Sequence, residues 1–156
     1  MRSVTFLICS ILLLYAAWTD AREGYIPDIV SVILCILAVF SLFTGNVPGL
    51  SARLAGALLC GGFLELIRFL SHGGIGLGDV KLMAACGFFL GPLTGMLSLL
   101  LAYVLAGIFC LPALLTKKAF LKTRIPMAPF FAAAIIFLHF FQEPMLRWYL
   151  SLWGIL

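Results

Sequence analysis

Six apolar runs, at about residues 4–18, 26–43, 52–70, 79–95, 96–115 and 125–142, follow one another with only short polar or glycine-rich junctions between them. Inside lipid, every backbone N–H and C=O has to be satisfied without water, which leaves helices or a closed barrel. A barrel would show short segments alternating polar and apolar residues, and none is present. The chain is 64% hydrophobic and 10% charged, with a mean hydropathy of +1.21, whereas a soluble domain carries about 25% charged residues. The expectation is therefore an all-α, polytopic membrane protein. It forms a single membrane domain over 1–156, a bundle of about six transmembrane helices of roughly 20 residues each, with the lipid bilayer around it.

The first run follows Arg2 and reads as a retained span. A cleaved signal peptide needs a small-x-small site, and Trp18 and Asp20 crowd Ala16 and Ala17. Thr19 to Tyr25 reads as a polar junction. Ile26-Pro27-Asp28 opens the second span, with proline in the first helical turn and an acid suited to the helix dipole. Residues 45–49 are a turn by composition. Glu65 and Arg68, spaced i, i+3, are expected to pair on one helix face. The Gly91-Pro92 step either kinks the fourth helix or begins the next turn. The tail 143–156, with Arg147, Trp148, Tyr149 and Trp153, is too short to span after a helix break and suits an interfacial belt. His72 reads as a loop residue and His139 as a packing residue.

The five cysteines (Cys9, Cys35, Cys60, Cys86 and Cys110) stand singly, one in each of the first five runs. Without a C-x-x-C pair, a zinc ribbon or thioredoxin-like motif is excluded, and the thiols are expected to be free and buried as small hydrophobes. No metal, no cofactor and no nucleic acid is expected, the net charge being a modest +4. Its placement is more informative, because basic loops face the cytoplasm. If 117–124 is cytoplasmic, that face collects Arg22, Arg68, Lys81, Lys117, Lys118, Lys122 and Arg124, leaving Arg2, Arg53 and Arg147 outside. Arg2 and Arg53 dissent.

Two acids carry the chemistry. Asp20 closes the first span and Asp79 opens the fourth, with two full spans between them, so both must emerge on one membrane face. Acids at the edge of apolar helices are costly unless paired, hydrated or used. Two neighbouring carboxylates do not both ionise easily and share a proton. One can then accept a proton from water while the other donates to a carbonyl oxygen. That is an apparatus for peptide hydrolysis without a covalent intermediate. Such pairs titrate jointly, so neither residue is assigned as acid or base. Gly76 and Gly78 would let an extended substrate backbone lie beside Asp79. Lys81 is either a positive-inside anchor or a group that tunes the neighbouring acid.

Three stretches carry a family resemblance. Gly76-Leu77-Gly78-Asp79-Val80-Lys81 resembles the G-x-G-D-x-K motif of type IV prepilin peptidases, which are intramembrane aspartic proteases. Asp20-Ala21-Arg22-Glu23-Gly24-Tyr25-Ile26-Pro27-Asp28 resembles their first motif, an aspartate six residues before Ile/Leu-Pro-Asn/Asp. Ile125-Pro126-Met127-Ala128-Pro129 is similar to a third pattern, I-P-[FY]-G-P, with Met127 and Ala128 replacing the aromatic and the glycine. The motifs run in family order from the first span to the sixth. The resemblance implies that Asp20 and Asp79 are the catalytic pair, supported by Ile26, Pro27, Asp28, Pro126 and Pro129. It also implies a site at the cytoplasmic face of the inner membrane that cuts prepilin-like (pilin, pseudopilin or flagellin) precursors after a short basic leader. Larger bacterial members carry a cysteine-paired insertion and also N-methylate the product. Here that insertion is missing, so the compact Tad/Flp or preflagellin type is expected, without methyl transfer. Self-association into a homo-oligomer is left open.

Three other readings compete. Signal-peptide-peptidase-like G-x-G-D proteases share a P-A-L triplet, present here as Pro112-Ala113-Leu114, but place their first aspartate in a Tyr-Asp pair, whereas Thr19 precedes Asp20. A proton-coupled carrier or channel subunit would use the acids as a relay, and carriers usually carry internal repeats or broken helices at the midplane. A purely structural membrane subunit leaves the glycine loop without a purpose.

Overall fold

A computed structural model describes residues 2–43, 49–115 and 125–152, with side chains over 4–43, 49–111 and 125–141. Among them are six helices and no strand: α1 (Arg2–Glu23), α2 (Asp28–Leu42), α3 (Leu50–Leu70), α4 (Leu77–Leu90), α5 (Pro92–Leu115) and α6 (Ala128–Leu152). Three of them, over Val4–Glu23, Leu50–Leu70 and Pro92–Leu111, are long and apolar enough to cross a membrane, and α2 and the first part of α6 are shorter apolar helices. This is a multi-pass membrane protein. The basic loop 117–124 and residues 45–48 of the expected turn 45–49 lie outside the described residues, as do the side chains of the tail.

The central helix is α4. It packs against α2, α3 and α5, while α1 packs against α2 and α6, and α5 against α6. Its contact with α3 is made through small residues, which let helices approach closely in lipid. A Cβ on Gly56 or on Gly87 would drive into the carbonyl oxygen of the other, and one on Gly61 would meet Ala84 Cβ at 2.7 Å. Pairs whose numbers rise in one helix and fall in the other make α3 and α4 antiparallel. By the same reasoning α2 and α4 run parallel, since Ile26 meets Gly78 and Asp28 meets Lys81.

Several boundaries differ from the sequence reading. Residues 19–23 are helical, not a junction. Polar side chains cost nothing where a helix leaves the bilayer, and α1 stops only at Gly24, whose φ of +64° lets it close the helix by donating its N–H to Asp20 O at 2.9 Å. Pro27 precedes the first residue of α2 rather than lying in its first turn. The α4–α5 break falls at Gly91 (φ +83°), so the Gly91-Pro92 step begins the turn rather than kinking a helix that runs on to about 95. Eight residues of continuous helix would separate Gly87 from Gly95 by about 12 Å. Instead, a Cβ on Gly95 would lie 3.2 Å from Gly87 Cα, so the chain doubles back there. α6 continues through Pro144 rather than breaking, as transmembrane helices tolerate an internal proline. Glu65 and Arg68 pair at 3.8 Å as expected. Cys9, Cys60 and Cys86 are buried, but Cys35 is exposed and Cys110 half-buried. His139 stacks on Phe6.

Arg53 corrects the charge count. Counted with the charges of the outer face, it is instead fully buried within α3. Its guanidinium donates to Ala38 O at 2.5 Å and Ser41 Oγ at 2.7 Å, next to the C-terminal end of α2. A cation suits the negative end of a helix dipole and its unpaired carbonyls.

Candidate functional site

Asp20 points into the bundle because of where it falls on α1. Phe6, Cys9, Leu13 and Ala16 are buried at alternating steps of three and four residues, and Asp20 takes the next step of the same stripe. It is 8% exposed. Asp79 holds the corresponding place on α4, one turn before the buried Leu82 and Met83 and two before Cys86. It lies in the first turn of that helix, where an acid complements the dipole.

Both aspartates line one cleft of about 330 Å³. Asp20, Gly24, Tyr25, Ile26 and Asp28 form one wall, and Gly76, Leu77, Gly78, Asp79 and Lys81 the other. The first two motifs therefore face each other at the same end of the bundle.

The third motif reaches the site through one hydrogen bond. Ala128 N–H donates to Asp20 Oδ2 at 2.9 Å. The first N–H groups of any helix lack intrahelical partners, and Ala128 is the first residue of α6. Pro129, next along, has no N–H to satisfy. The carboxylate of one helix thus caps another, 108 residues away in sequence. Ala128 is fully buried. This partner of Asp20 was missed in the sequence reading; a proline-flanked helix start with a free amide was the available signal.

Asp79 is held differently. Its Oδ1 is buried with no hydrogen-bond partner among the described residues. Its Oδ2 faces Gly76, where an added Cβ would come within 3.1 Å. Leaving a buried acceptor unpaired costs about 1–3 kcal/mol, a price tolerated where the group is used. Gly78 has a packing role, because a Cβ there would lie 3.1 Å from Ile26 Cβ. Lys81 Nζ pairs with Asp28 Oδ2 at 2.7 Å, both side chains about half exposed at the cleft mouth. The pair ties the start of α4 to the start of α2.

Chemically, the cleft offers two carboxyl groups in unlike settings, one anchored by an amide and one with a free oxygen. Glycines and a lysine surround the second.

The sequence profile of the type IV leader peptidase family matches residues 7–111, a range that includes both aspartates. A prepilin leader peptidase/N-methyltransferase of Bacillus subtilis (strain 168) is 26% identical over 141 residues, covering 90% of this chain and 57% of that protein. A protein of the same description from Aeromonas salmonicida (strain A449) is 31% identical over 117 residues, covering 72% of this chain and 40% of that protein. The chain thus spans about half the length of these curated relatives. No solved structure matches it.

Proposed function

The chain belongs to the type IV leader peptidase family, and from that premise we propose that it is an intramembrane aspartic endopeptidase that removes the leader from prepilin-like precursors. The observation that carries this reading is the shared cleft of Asp20 and Asp79 at one end of the bundle. In the proposed reaction the ionised carboxyl takes a proton from water as its oxygen adds to the scissile carbonyl carbon. The protonated carboxyl gives its proton to the carbonyl oxygen, forming a gem-diol. Collapse of that intermediate breaks the C–N bond; the proton taken from water passes to the departing amine, and one gem-diol hydroxyl returns its proton to the carboxylate that had protonated the carbonyl oxygen. Ala128 N–H keeps the Asp20 oxygen in place throughout.

The site is proposed to open on the cytoplasmic face of the inner membrane, with the substrate's apolar helix alongside the bundle in lipid. Of the two activities in the relatives' name, the peptidase alone is assigned here. A proton carrier fits less well, since its acids belong near the midplane and these sit together at one end.

The test is co-expression of the chain with prepilin-like precursors and mass spectrometry of the precursor's N-terminus. Cleavage that depends on both aspartates is expected. An intact precursor beside well-inserted wild-type protein, across pilin, pseudopilin and flagellin types, would overturn the reading.

A further inference from the structure

The buried Oδ1 of Asp79 lacks a donor among the described residues, and the nearby cations are engaged elsewhere. Lys81 is paired with Asp28, and Arg22 lies over the Trp18 ring at 4.6 Å. A further polar group at the level of Asp79 comes from α5. Gly95 and Gly87 meet at the α4–α5 turn. Tyr103 lies eight residues beyond Gly95, and Asp79 eight residues before Gly87. In antiparallel helices those offsets are equal, about 12 Å along each axis, so Tyr103 and Asp79 stand at one depth. The Tyr103 ring is fixed edge-on against Phe131, centroids 6.2 Å apart, three residues beyond the amide that holds Asp20. Tyr103 itself is half-buried.

We propose that Tyr103 is a third residue of the site, a positioning residue whose hydroxyl donates to the Asp79 carboxyl through one water molecule. A phenol is suited to this role. It is a donor that stays neutral at working pH, and its ring packs in an apolar helix interface while its tip is polar. The same ring closes one end of an apolar groove of about 470 Å³ between α3 and α5, lined also by Phe63, Ile67 and Met96. Tyr103 is therefore where the lipid-facing side of the bundle meets the aspartates.

The experiment compares wild type with Tyr103→Phe, which removes the hydroxyl alone, in lipid nanodiscs. The chain has three aspartates, Asp20, Asp28 and Asp79, so carboxyl-labelled aspartate gives three NMR signals that Asp→Asn variants assign. The Asp79 titration is expected to move by about half a pH unit or more in Y103F, with Asp28 unmoved. On a cleaved precursor, kcat is expected to fall about tenfold with KM nearly constant. Superimposable Asp79 titrations, or an unchanged kcat, would overturn the proposal. The kinetic arm rests on the peptidase reading, but the titration does not. A wild type that cuts nothing would end that reading and leave the titration to decide Tyr103. Should Y103F misfold, 3-fluorotyrosine placed at 103 serves instead. Its fluorine signal is expected to follow Asp79 with pH and to lose that response in D79N; a signal indifferent to Asp79 overturns the proposal.

Discussion

The two ends of the α3–α4–α5 unit are built on opposite plans. At one end Gly56, Gly87, Cys60 and Gly95 bring three helices to backbone contact, with no room for a methyl group, and Arg53 fills the neighbouring space against α2. At the other end the same α4 begins beside a cleft of about 330 Å³ whose walls carry three aspartates and a lysine. A cavity of that size in a bundle tends to collapse unless its walls are fixed from elsewhere. The glycine-packed end supplies the fixation, and the Lys81–Asp28 pair and the Ala128–Asp20 hydrogen bond brace the open end. Stability and chemistry are thus separated along one set of helices, and substitutions at the two ends should fail in different ways.

The largest effect belongs to the open end. Asp20→Asn and Asp79→Asn are each expected to lower the cleavage rate by about 10³-fold or more while thermal stability holds, as read by N-terminal mass spectrometry and a melting curve. The mirror case is Gly87→Val, which forces a branched side chain into the Gly56 backbone. It should cost about 1–3 kcal/mol of stability or more, measured by unfolding in bicelles, with the remaining folded protein still active. A Gly87→Val protein that loses rate without losing stability would break the division between the ends.

Ala128→Pro sharpens the comparison. It deletes the N–H that holds Asp20 while suiting a helix start, and about a tenfold fall in kcat is expected, with KM nearly constant. The smallest effect is expected at the cleft mouth. Lys81→Ala and Asp28→Asn should each cost no more than about 1 kcal/mol, because the pair is half exposed. The charge-swapped double variant D28K/K81D should recover part of that loss in the same unfolding measurement.

Much of this was legible in the residues. Apolar runs announce helices wherever lipid forbids other backbone arrangements, and the number of spans between Asp20 and Asp79 already placed them at one end. What the sequence hid were contacts set by packing. Arg53 counts as an outer-face charge at the start of the third run because nothing local reveals that α2 ends beside it. The helical stretch 19–23 reads as a junction because polarity marks the edge of the bilayer, not the end of a helix. The Gly91-Pro92 step reads as either a kink or the start of the turn, because glycine and proline punctuate a chain without saying which of the two they do; the structure makes it the turn. The Ala128–Asp20 hydrogen bond joins distant segments, and the family's glycine at that position is replaced here, which disguised its role.

The central claim is that Asp20 and Asp79 form one unit, and a double-variant cycle on the cleavage rate tests it most directly. For groups that share one chemical step, losing either is nearly as damaging as losing both. The account predicts that D20N/D79N cleaves no more slowly than the slower single variant. Losses that multiply across the two positions, or a single variant that cleaves at the wild-type rate, would contradict it.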